Sequence, residues 1–186
     1  MKVMPVYIAL GANLPLETRT PAQTIARALA MLEDEGVRVI ARSSDWLSPA
    51  WPDPSDPEYV NAVAQVETSV QARALLDLLH KIEARLGRTR VIRWASRTLD
   101  LDLVDFRGTV MTDDQGLQIP HPRTCERAFV LMPLREIAPT WTDPVSRQSI
   151  DTLLSELPDA DRQSIKKLQT TASDTLQGLA FTHRQG

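Results

Sequence analysis

Two amphipathic helical segments lie among four apolar runs of strand length, and their order limits the possible folds. Val70–Leu86 has leucine or isoleucine every three or four residues and is followed by Gly87, which is typical of a helix end. Pro21–Glu35 has the same periodicity and is followed by Gly36. The apolar runs are Val6–Leu10, Val37–Leu47, Tyr59–Glu67 and Leu99–Phe106. The order βαββαβ predicts the α+β class and a ferredoxin-like sandwich.

The rest of the chain is predicted to add C-terminal helices and a tail. The two helical segments are Arg127–Ile137 and Ser149–Leu157. We expect one domain over residues 1–160 and a polar tail over residues 161–186. Because the tail has few apolar residues that could join a core, its removal is expected to cost little stability.

Composition narrows the class of protein. The chain has 186 residues and a net charge of −3, so an anion site must be a local cluster of basic residues. Cys125 is the only cysteine, which excludes an internal disulfide. No apolar stretch has membrane-spanning length, and Met1–Leu10 lacks a signal-peptide pattern. We therefore expect a cytoplasmic monomer whose partners are small molecules, with no binding to nucleic acid or membranes.

The run Leu99-Asp100-Leu101-Asp102-Leu103 carries the clearest chemical signal. Strand periodicity places Asp100 and Asp102 on one face, with their α-carbons roughly 7 Å apart. Two carboxylates at this spacing can converge on one cation, or on two cations about 4 Å apart. An exposed strand with two solvated acids explains this run, taken alone, equally well.

Five arginines within thirteen residues precede these acids: Arg85, Arg88, Arg90, Arg93 and Arg97. Guanidinium groups make forked contacts with phosphate oxygens. Next to paired carboxylates, they indicate a complex of magnesium with a polyphosphate such as ATP. The alternatives are a solvated basic loop or a nucleic-acid patch. An RNA-binding sandwich would place aromatic residues on the strand that here carries the two aspartates.

Other residues could contact a flat ligand. Trp94, in a loop among arginines, could stack on a ring. Tyr59 and Asn61 share one strand face, and the Asn61 amide offers both a donor and an acceptor to a heterocycle. On the residues alone, a satisfied polar surface is the simpler interpretation of this pair. By itself Glu83, one residue past the apolar Ile82, is expected to be solvated, and His121 after Pro120 is expected to be structural.

These residues together form a pattern that resembles the 6-hydroxymethyl-7,8-dihydropterin pyrophosphokinase family, also called 2-amino-4-hydroxy-6-hydroxymethyldihydropteridine diphosphokinases. The similarity extends from about Tyr7 to about Pro139. The matching stretches are Tyr7–Asn13, Tyr59–Ala62, Ile82–Glu83, Leu86–Arg90, Arg93–Asp102, Ile119–Arg123 and Arg127–Leu134.

The resemblance implies a reaction in folate biosynthesis. The β,γ-pyrophosphoryl unit of ATP would move to the hydroxymethyl oxygen of the pterin, leaving AMP. Asp100 and Asp102 would bind two Mg²⁺ ions, and Arg88 and Arg97 would contact phosphates and stabilise the transferring group. The implied fold is the same ferredoxin-like sandwich, and no residue is identified as a general base.

The resemblance also implies the binding residues. The pterin would contact Tyr59, Asn61, Trp94 and Phe129. The nucleotide would contact Glu83, Arg90, Arg93, His121 and Arg127. A loop over Arg88–Ser96 would close over both substrates.

The chain departs from the family pattern at two places that affect the site. Ala95-Ser96 stands where the family usually has Gly-Pro, and Trp51 stands where a smaller aliphatic residue is common. The first departure alters the entry to the loop, and the second alters the shape of the pocket. A relative that binds pterin or nucleotide without catalysing the transfer is an alternative that the sequence leaves open.

Overall fold

An antiparallel sheet forms the centre of the protein in the computed structural model, which describes residues 4–51, 53–87, 98–114 and 116–169. The strands are β1 (Val6–Ala12), β2 (Arg38–Arg42), β3 (Trp46–Ser48), β4 (Tyr59–Glu67), β5 (Asp100–Phe106), β6 (Met111–Thr112), β7 (Gln118–Ile119) and β8 (Lys166–Lys167). The helices are α1 (Pro21–Asp34), α2 (Ala72–Arg85), α3 (Ala128–Ile137), α4 (Ile150–Glu156) and α5 (Asp159–Ser164).

The strand order in the main sheet is β5-β1-β4-β3-β8, and β2 also pairs with β4. All of these pairings are antiparallel, whereas β6 and β7 form a separate two-stranded sheet. The predicted α+β class is therefore confirmed. The N-terminal strand β1 lies in the interior of the sheet, between β4 and β5.

The single strand predicted over Val37–Leu47 is wrong, because this run forms the two strands β2 and β3. Both pair with β4, at successive positions along the same edge. Between them, the Ser43 backbone N–H donates to the Val63 carbonyl at 2.9 Å. The Ser43 hydroxyl accepts from the Val63 N–H, also at 2.9 Å. A side-chain hydroxyl thus replaces a backbone carbonyl at this point, and the regular ladder is interrupted.

Helices cover both faces of the sheet. Alternate residues of β1, including Ile8 and Leu10, form one apolar cluster with Ile25 of α1 and Leu75 of α2. The helix α1 begins at a capping box, in which the Thr20 and Gln23 side chains each accept from the other's backbone N–H. On the opposite face, the second cluster joins helix residues to the sheet. It contains Leu131 and Leu134 of α3, residues of α4, Trp141, and the strand residues Tyr7, Val63 and Val104. The two clusters follow from strand periodicity, since successive side chains point to opposite faces.

The segment after α4 packs against the sheet. Strand β8 pairs with β3, and the Leu168 N–H donates to the Asp45 carbonyl at 2.8 Å. The Ile165 side chain is buried in the second cluster. Residues 161–169 belong to the predicted polar tail, yet deleting them would remove a buried side chain and an edge strand. The expected low cost of deletion therefore does not apply to this part, and residues 170–186 lie outside the described residues.

Within the described ranges, none of the helices is long and apolar enough to cross a membrane.

A buried carboxyl group lies on β5, on the face covered by α3 and α4. Asp105 is 4% exposed and accepts hydrogen bonds of 2.8 Å from the Trp141 indole N–H and the Gly108 backbone N–H. Burial raises the pKa of Asp105, the two donors lower it, and the nearby Asp143 carboxylate raises it further. The net shift is upward, so the folded protein binds a proton at Asp105 more tightly than the unfolded chain does.

Asp105→Asn is expected to change how stability depends on pH. Because the folded pKa is raised, protonation of Asp105 contributes stability that is fully present below the unfolded value of 3.8. This contribution is lost as the pH rises through the folded pKa. The advantage of the wild type over the variant should therefore shrink as pH increases, which urea unfolding of both proteins between about pH 4 and 7 would measure. The exposed Asp151→Asn variant is the control, and a pH-independent difference for Asp105→Asn would contradict the prediction.

Candidate active site

A cavity of ≈ 610 Å³ lies on the sheet face that α3 and α4 only partly cover, where β1 ends and β5 begins. Its lining comes from β1, the end of β3 and the loop after it, β4, β5, the segment that leads into α3, the N-terminus of α3, and α5. The lining residues include Ala9, Gly11, Ser48, Trp51, Tyr59, Asn61, Asp100, Asp102, Arg127 and Phe129. The structure thus brings most of the described candidate residues into one place.

The backbone register of three strands sets the floor of the cavity. Gly11 of β1 pairs with Asn61 on β4 and with Asp100 on β5. Ala9, two residues earlier, pairs with Asp102. A Cβ atom at position 11 would lie 3.4 Å from the Asn61 Oδ1 atom. The small residues of β1 therefore leave space between Asn61 and the two aspartates.

The Asn61 side chain is almost fully buried, at 4% exposure, although it lines the cavity. Its Nδ2 atom donates to the Ser48 hydroxyl at 2.9 Å and to the carbonyls of Trp46 and Tyr59 at 3.3 Å each. These bonds fix the orientation of the amide. Ser48 is a site residue that the sequence analysis did not identify, since a serine before a proline-rich loop is an ordinary residue. Only its cross-strand position next to Asn61 reveals it.

The Asp102 carboxylate lies among basic side chains. Its Oδ2 atom accepts from the Arg127 Nη1 atom at 3.3 Å and lies 4.0 Å from the His121 Nε2 atom. The Arg123 backbone N–H donates to the His121 Nδ1 atom at 3.2 Å. A neutral His121 therefore carries its proton on Nε2, facing Asp102.

The pKa of His121 is lowered, mainly by burial and also by the positive charges of Arg127 and Arg123. The carboxylates of Asp102 and Asp100 act in the opposite direction but do not outweigh these causes. The imidazole is consequently neutral near pH 7.

The aromatic wall of the cavity comes from the start of α3. Phe129 is half-buried, and the Arg127 guanidinium carbon lies 5.6 Å from the centre of its ring. This distance is within the range of a cation–π contact. Arg127 therefore contacts the phenyl ring of Phe129 and the carboxylate of Asp102, which connects the aromatic and acidic parts of the cavity.

Glu83 occupies a different position from the other described candidates. It lies on α2, beneath the opposite face of the sheet, is 1% exposed, and does not line the cavity. Its Oε1 atom accepts from the Leu101 backbone N–H at 2.7 Å. The expectation that Glu83 is solvated is therefore wrong. A sequence signal for its burial exists, because Glu83 lies four residues after Leu79 and so falls within the apolar stripe of α2. The nucleotide contact that the resemblance implies for Glu83 stays a prediction.

Five candidate residues lie outside the described residues: Arg88, Arg90, Arg93, Trp94 and Arg97. The predicted closing loop, Arg88–Ser96, lies there as well. Their roles stay predictions that depend on the resemblance.

The donor set of the cavity fits magnesium. Asp100 and Asp102 provide hard carboxylate oxygens on one face of β5, and both line the cavity. Over the described ranges, no cluster of three or more His, Cys, Asp or Glu side chains is placed to hold a metal ion. Mg²⁺ in phosphate-binding sites is commonly held by one or two carboxylates together with water and substrate phosphates, so a pair is sufficient.

The fold and the cavity together indicate an α+β enzyme that transfers a phosphoryl-type group. Comparison with known proteins identifies the protein family. Residues 7–139 match the family described as 7,8-dihydro-6-hydroxymethylpterin-pyrophosphokinase, or HPPK. The chain belongs to this family, which confirms the resemblance seen in the sequence.

Proteins named as pyrophosphokinases of this kind are similar to the chain over nearly their full length. A 2-amino-4-hydroxy-6-hydroxymethyldihydropteridine pyrophosphokinase of Haemophilus influenzae is 38% identical over 165 residues, which are 88% of this chain and 98% of the relative. The pyrophosphokinase of the same name from Pseudomonas aeruginosa is 38% identical over 156 residues, covering 84% of this chain and 93% of the relative.

Solved structures show the same fold. A crystal structure of an HPPK-DHPS chain in complex with substrates superposes with a TM-score of 0.69 at 14% identity. The match covers 89% of this chain but 46% of the HPPK-DHPS chain, so this chain spans about half of that longer protein. At this level of identity the likeness supports the fold alone.

Proposed function

We propose that this chain transfers the pyrophosphoryl group of ATP to the hydroxymethyl group of 6-hydroxymethyl-7,8-dihydropterin, giving AMP and the pterin diphosphate, a step of folate biosynthesis. The observation that carries the proposal is the cross-strand row Asn61, Gly11 and Asp100. It brings the Asn61 amide and a carboxylate pair into a single cavity, which supports a binding site for a flat heterocycle beside the two acids. Membership of the HPPK family and the names of the near full-length relatives support the same reaction.

The pterin occupies the side of the cavity formed by Tyr59, Asn61 and Phe129. The ring of Phe129 supplies a flat apolar surface for stacking. Asn61 and Ser48 supply polar atoms that are fixed by their mutual hydrogen bond, and such preorganisation favours recognition of a rigid ligand edge. Trp94 completes the pterin contacts by resemblance.

The triphosphate occupies the side formed by Asp100, Asp102 and Arg127. The two carboxylates would hold Mg²⁺, with two ions expected, and the metal would supply positive charge that neutralises the phosphates. Arg127 and His121 lie next to Asp102, which supports the nucleotide contacts proposed for both residues. By resemblance, the remaining nucleotide and phosphate contacts come from Glu83, Arg88, Arg90, Arg93 and Arg97.

The chemistry depends on positioning. The pterin hydroxyl oxygen forms a bond to the β-phosphorus while the bond from that phosphorus to the α,β-bridging oxygen breaks. AMP departs with the bridging oxygen, and the hydroxyl proton is released to water, since no residue is assigned as its acceptor. No covalent intermediate on the enzyme is required, because phosphoryl-type transfer depends on in-line alignment and charge neutralisation. The chain's own contribution is to fix the pterin on β4 and the acidic residues on β5, at the separation that β1 imposes.

The topology proposed for the domain is ferredoxin-like. The two long helices α1 and α2 pack on one face, and the first, fourth and fifth strands form the order β5-β1-β4. The chain order of these elements and the entirely antiparallel pairing support this topology. The pyrophosphokinase domain then extends through residue 169, since α5 and β8 pack onto it.

The reaction is tested by incubating the protein with ATP, Mg²⁺ and 6-hydroxymethyl-7,8-dihydropterin. We expect AMP and the pterin diphosphate in equal amounts, and neither product when the pterin or Mg²⁺ is omitted. Separation of nucleotides and pterins by chromatography would measure both products. Formation of ADP with a pterin monophosphate, or binding of both substrates without turnover, would contradict the proposed function.

A further inference from the structure

The short helix α5 and the residue after it form part of the cavity wall. Ala160, Asp161, Ser164 and Ile165 line the same cavity as Asn61 and the two aspartates. They lie beyond residues 7–139, the part that matches the family. The cavity therefore includes a surface that the family pattern does not specify.

Packing connects this surface to the side of the cavity assigned to the pterin. Ile165 is buried in the apolar cluster against which Phe129 and Trp46 also pack. Strand β8 then pairs with β3, and Ser48, the last residue of β3, holds the Asn61 amide. The residues that follow α5 thus contact the strand that supports Asn61.

A carboxylate on α3 contacts both the β3 region and one side chain of β8. Glu136 accepts from the Ser44 N–H at 3.2 Å, the Ser44 hydroxyl at 2.8 Å and the Trp46 indole N–H at 2.9 Å. Its Oε1 atom also lies 3.1 Å from the Lys167 Nζ atom, which is 5.6 Å from the centre of the Trp46 ring. One side chain therefore connects α3, β3 and β8.

We propose that residues 158–169, the C-terminal segment, form a wall of the pterin-binding side of the cavity, and that Glu136 is the positioning residue that holds this wall. The inference rests on the pterin site proposed above. Because α5 has only six residues and none of them is buried, its position depends on the anchoring of Ile165 and β8. Asp161 and Ser164 then help to set the width of the pocket, and so which substituents on the pterin ring are accepted.

The role of this wall is tested by placing a large side chain on it, which narrows the cavity. Ser164→Trp places a large side chain at a half-buried lining position and should weaken pterin binding at least about tenfold. Binding of an ATP analogue should stay within about twofold of the wild type. Gln163→Trp, at the neighbouring exposed position that does not line the cavity, is the matched control. If Ser164→Trp does not fold, Asp161→Trp at the exposed lining position takes its place.

The positioning role is tested separately. Glu136→Ala should raise the KM for the pterin by about fivefold, the scale of one lost hydrogen bond, with kcat and the KM for ATP unchanged. Glu136→Gln keeps an acceptor for Trp46 or Ser44, so its KM for the pterin should rise less than that of Glu136→Ala. Arg135→Ala, on the same helix as Glu136, is the control, because it breaks the 2.5 Å contact with Asp151 of α4 without touching the C-terminal segment.

The outcomes distinguish this inference from the proposed site. If Asn61→Ala weakens pterin binding but the tryptophan variants do not, the C-terminal segment is not a wall. Weakening of pterin and ATP-analogue binding to the same extent would overturn its assignment to the pterin side. Normal kinetics in Glu136→Ala would remove the positioning role. If Asn61→Ala itself leaves pterin binding unchanged, the pterin site fails, and this inference fails with it.

Discussion

Asp102→Asn is expected to lower kcat about a thousandfold or more while the fold stays intact. The change keeps the size of the side chain but removes the negative charge that strengthens Mg²⁺ binding at this position. Asp102 is half-buried and belongs to neither apolar cluster, so the core does not depend on it. Asparagine can still accept a hydrogen bond from Arg127, which preserves the local packing. Initial rates of AMP release at saturating ATP and pterin, over a range of Mg²⁺ concentrations, would measure the loss.

The matched control is Asp77→Asn, the same substitution at an exposed position on α2. It should leave kcat unchanged, and circular dichroism should show the same fold for both variants. Turnover near the wild-type rate in Asp102→Asn at saturating Mg²⁺ would mean that this carboxylate does not hold the metal.

Asn61→Ala should weaken pterin binding by roughly 1–3 kcal/mol and hardly affect binding of an ATP analogue. The Asn61 amide is buried and fixed by Ser48 and two backbone carbonyls. Its loss removes a preorganised partner of the ligand and leaves the Ser48 hydroxyl without its donor. The nucleotide phosphates are assigned to arginines and Mg²⁺, so their binding does not depend on this amide. Calorimetric titration of the variant with each ligand separately measures the two affinities.

Two further variants sharpen this test. Phe129→Ala should reproduce the loss of pterin affinity through lost stacking. Gln65→Ala removes an amide from the same strand and the same face, four residues from Asn61 and outside the cavity, and should leave both affinities unchanged. Equal weakening of pterin and nucleotide binding by Asn61→Ala, or no effect on either, would refute the division of the cavity.

The parts of the fold that follow from local periodicity could be predicted from sequence. The alternation in β4 and the apolar stripe of α2 each indicate the element and its buried face, since backbone geometry imposes both periods. The same reasoning places Asp100 and Asp102 on one face of β5. A strand pattern carries no information about a side chain that replaces a backbone acceptor, which is why the interruption at Ser43 was missed.

The features missed in the site depend on contacts between distant parts of the chain. Residues 161–169 look polar, and one buried isoleucine does not indicate docking until the acceptor Glu136 and the strand edge of β3 are in place. Ser48 gains its role only from the cross-strand hydrogen bond to Asn61. The burial of Glu83 was, by contrast, open to prediction, because its position in the apolar stripe was visible.

The interior position of β1 makes the spacing of the two substrates a property of the backbone. Asn61 and Asp100 lie on strands that do not touch, and both are placed by pairing with Gly11. Changes of side chain can alter what each half binds but not how far apart the halves lie. Inserting one residue into β1 before Gly11 would shift the register and turn its following residues to the opposite face. The sheet therefore sets the distance between the two substrate-binding halves of the cavity, and this distance can change only through the length and register of its strands.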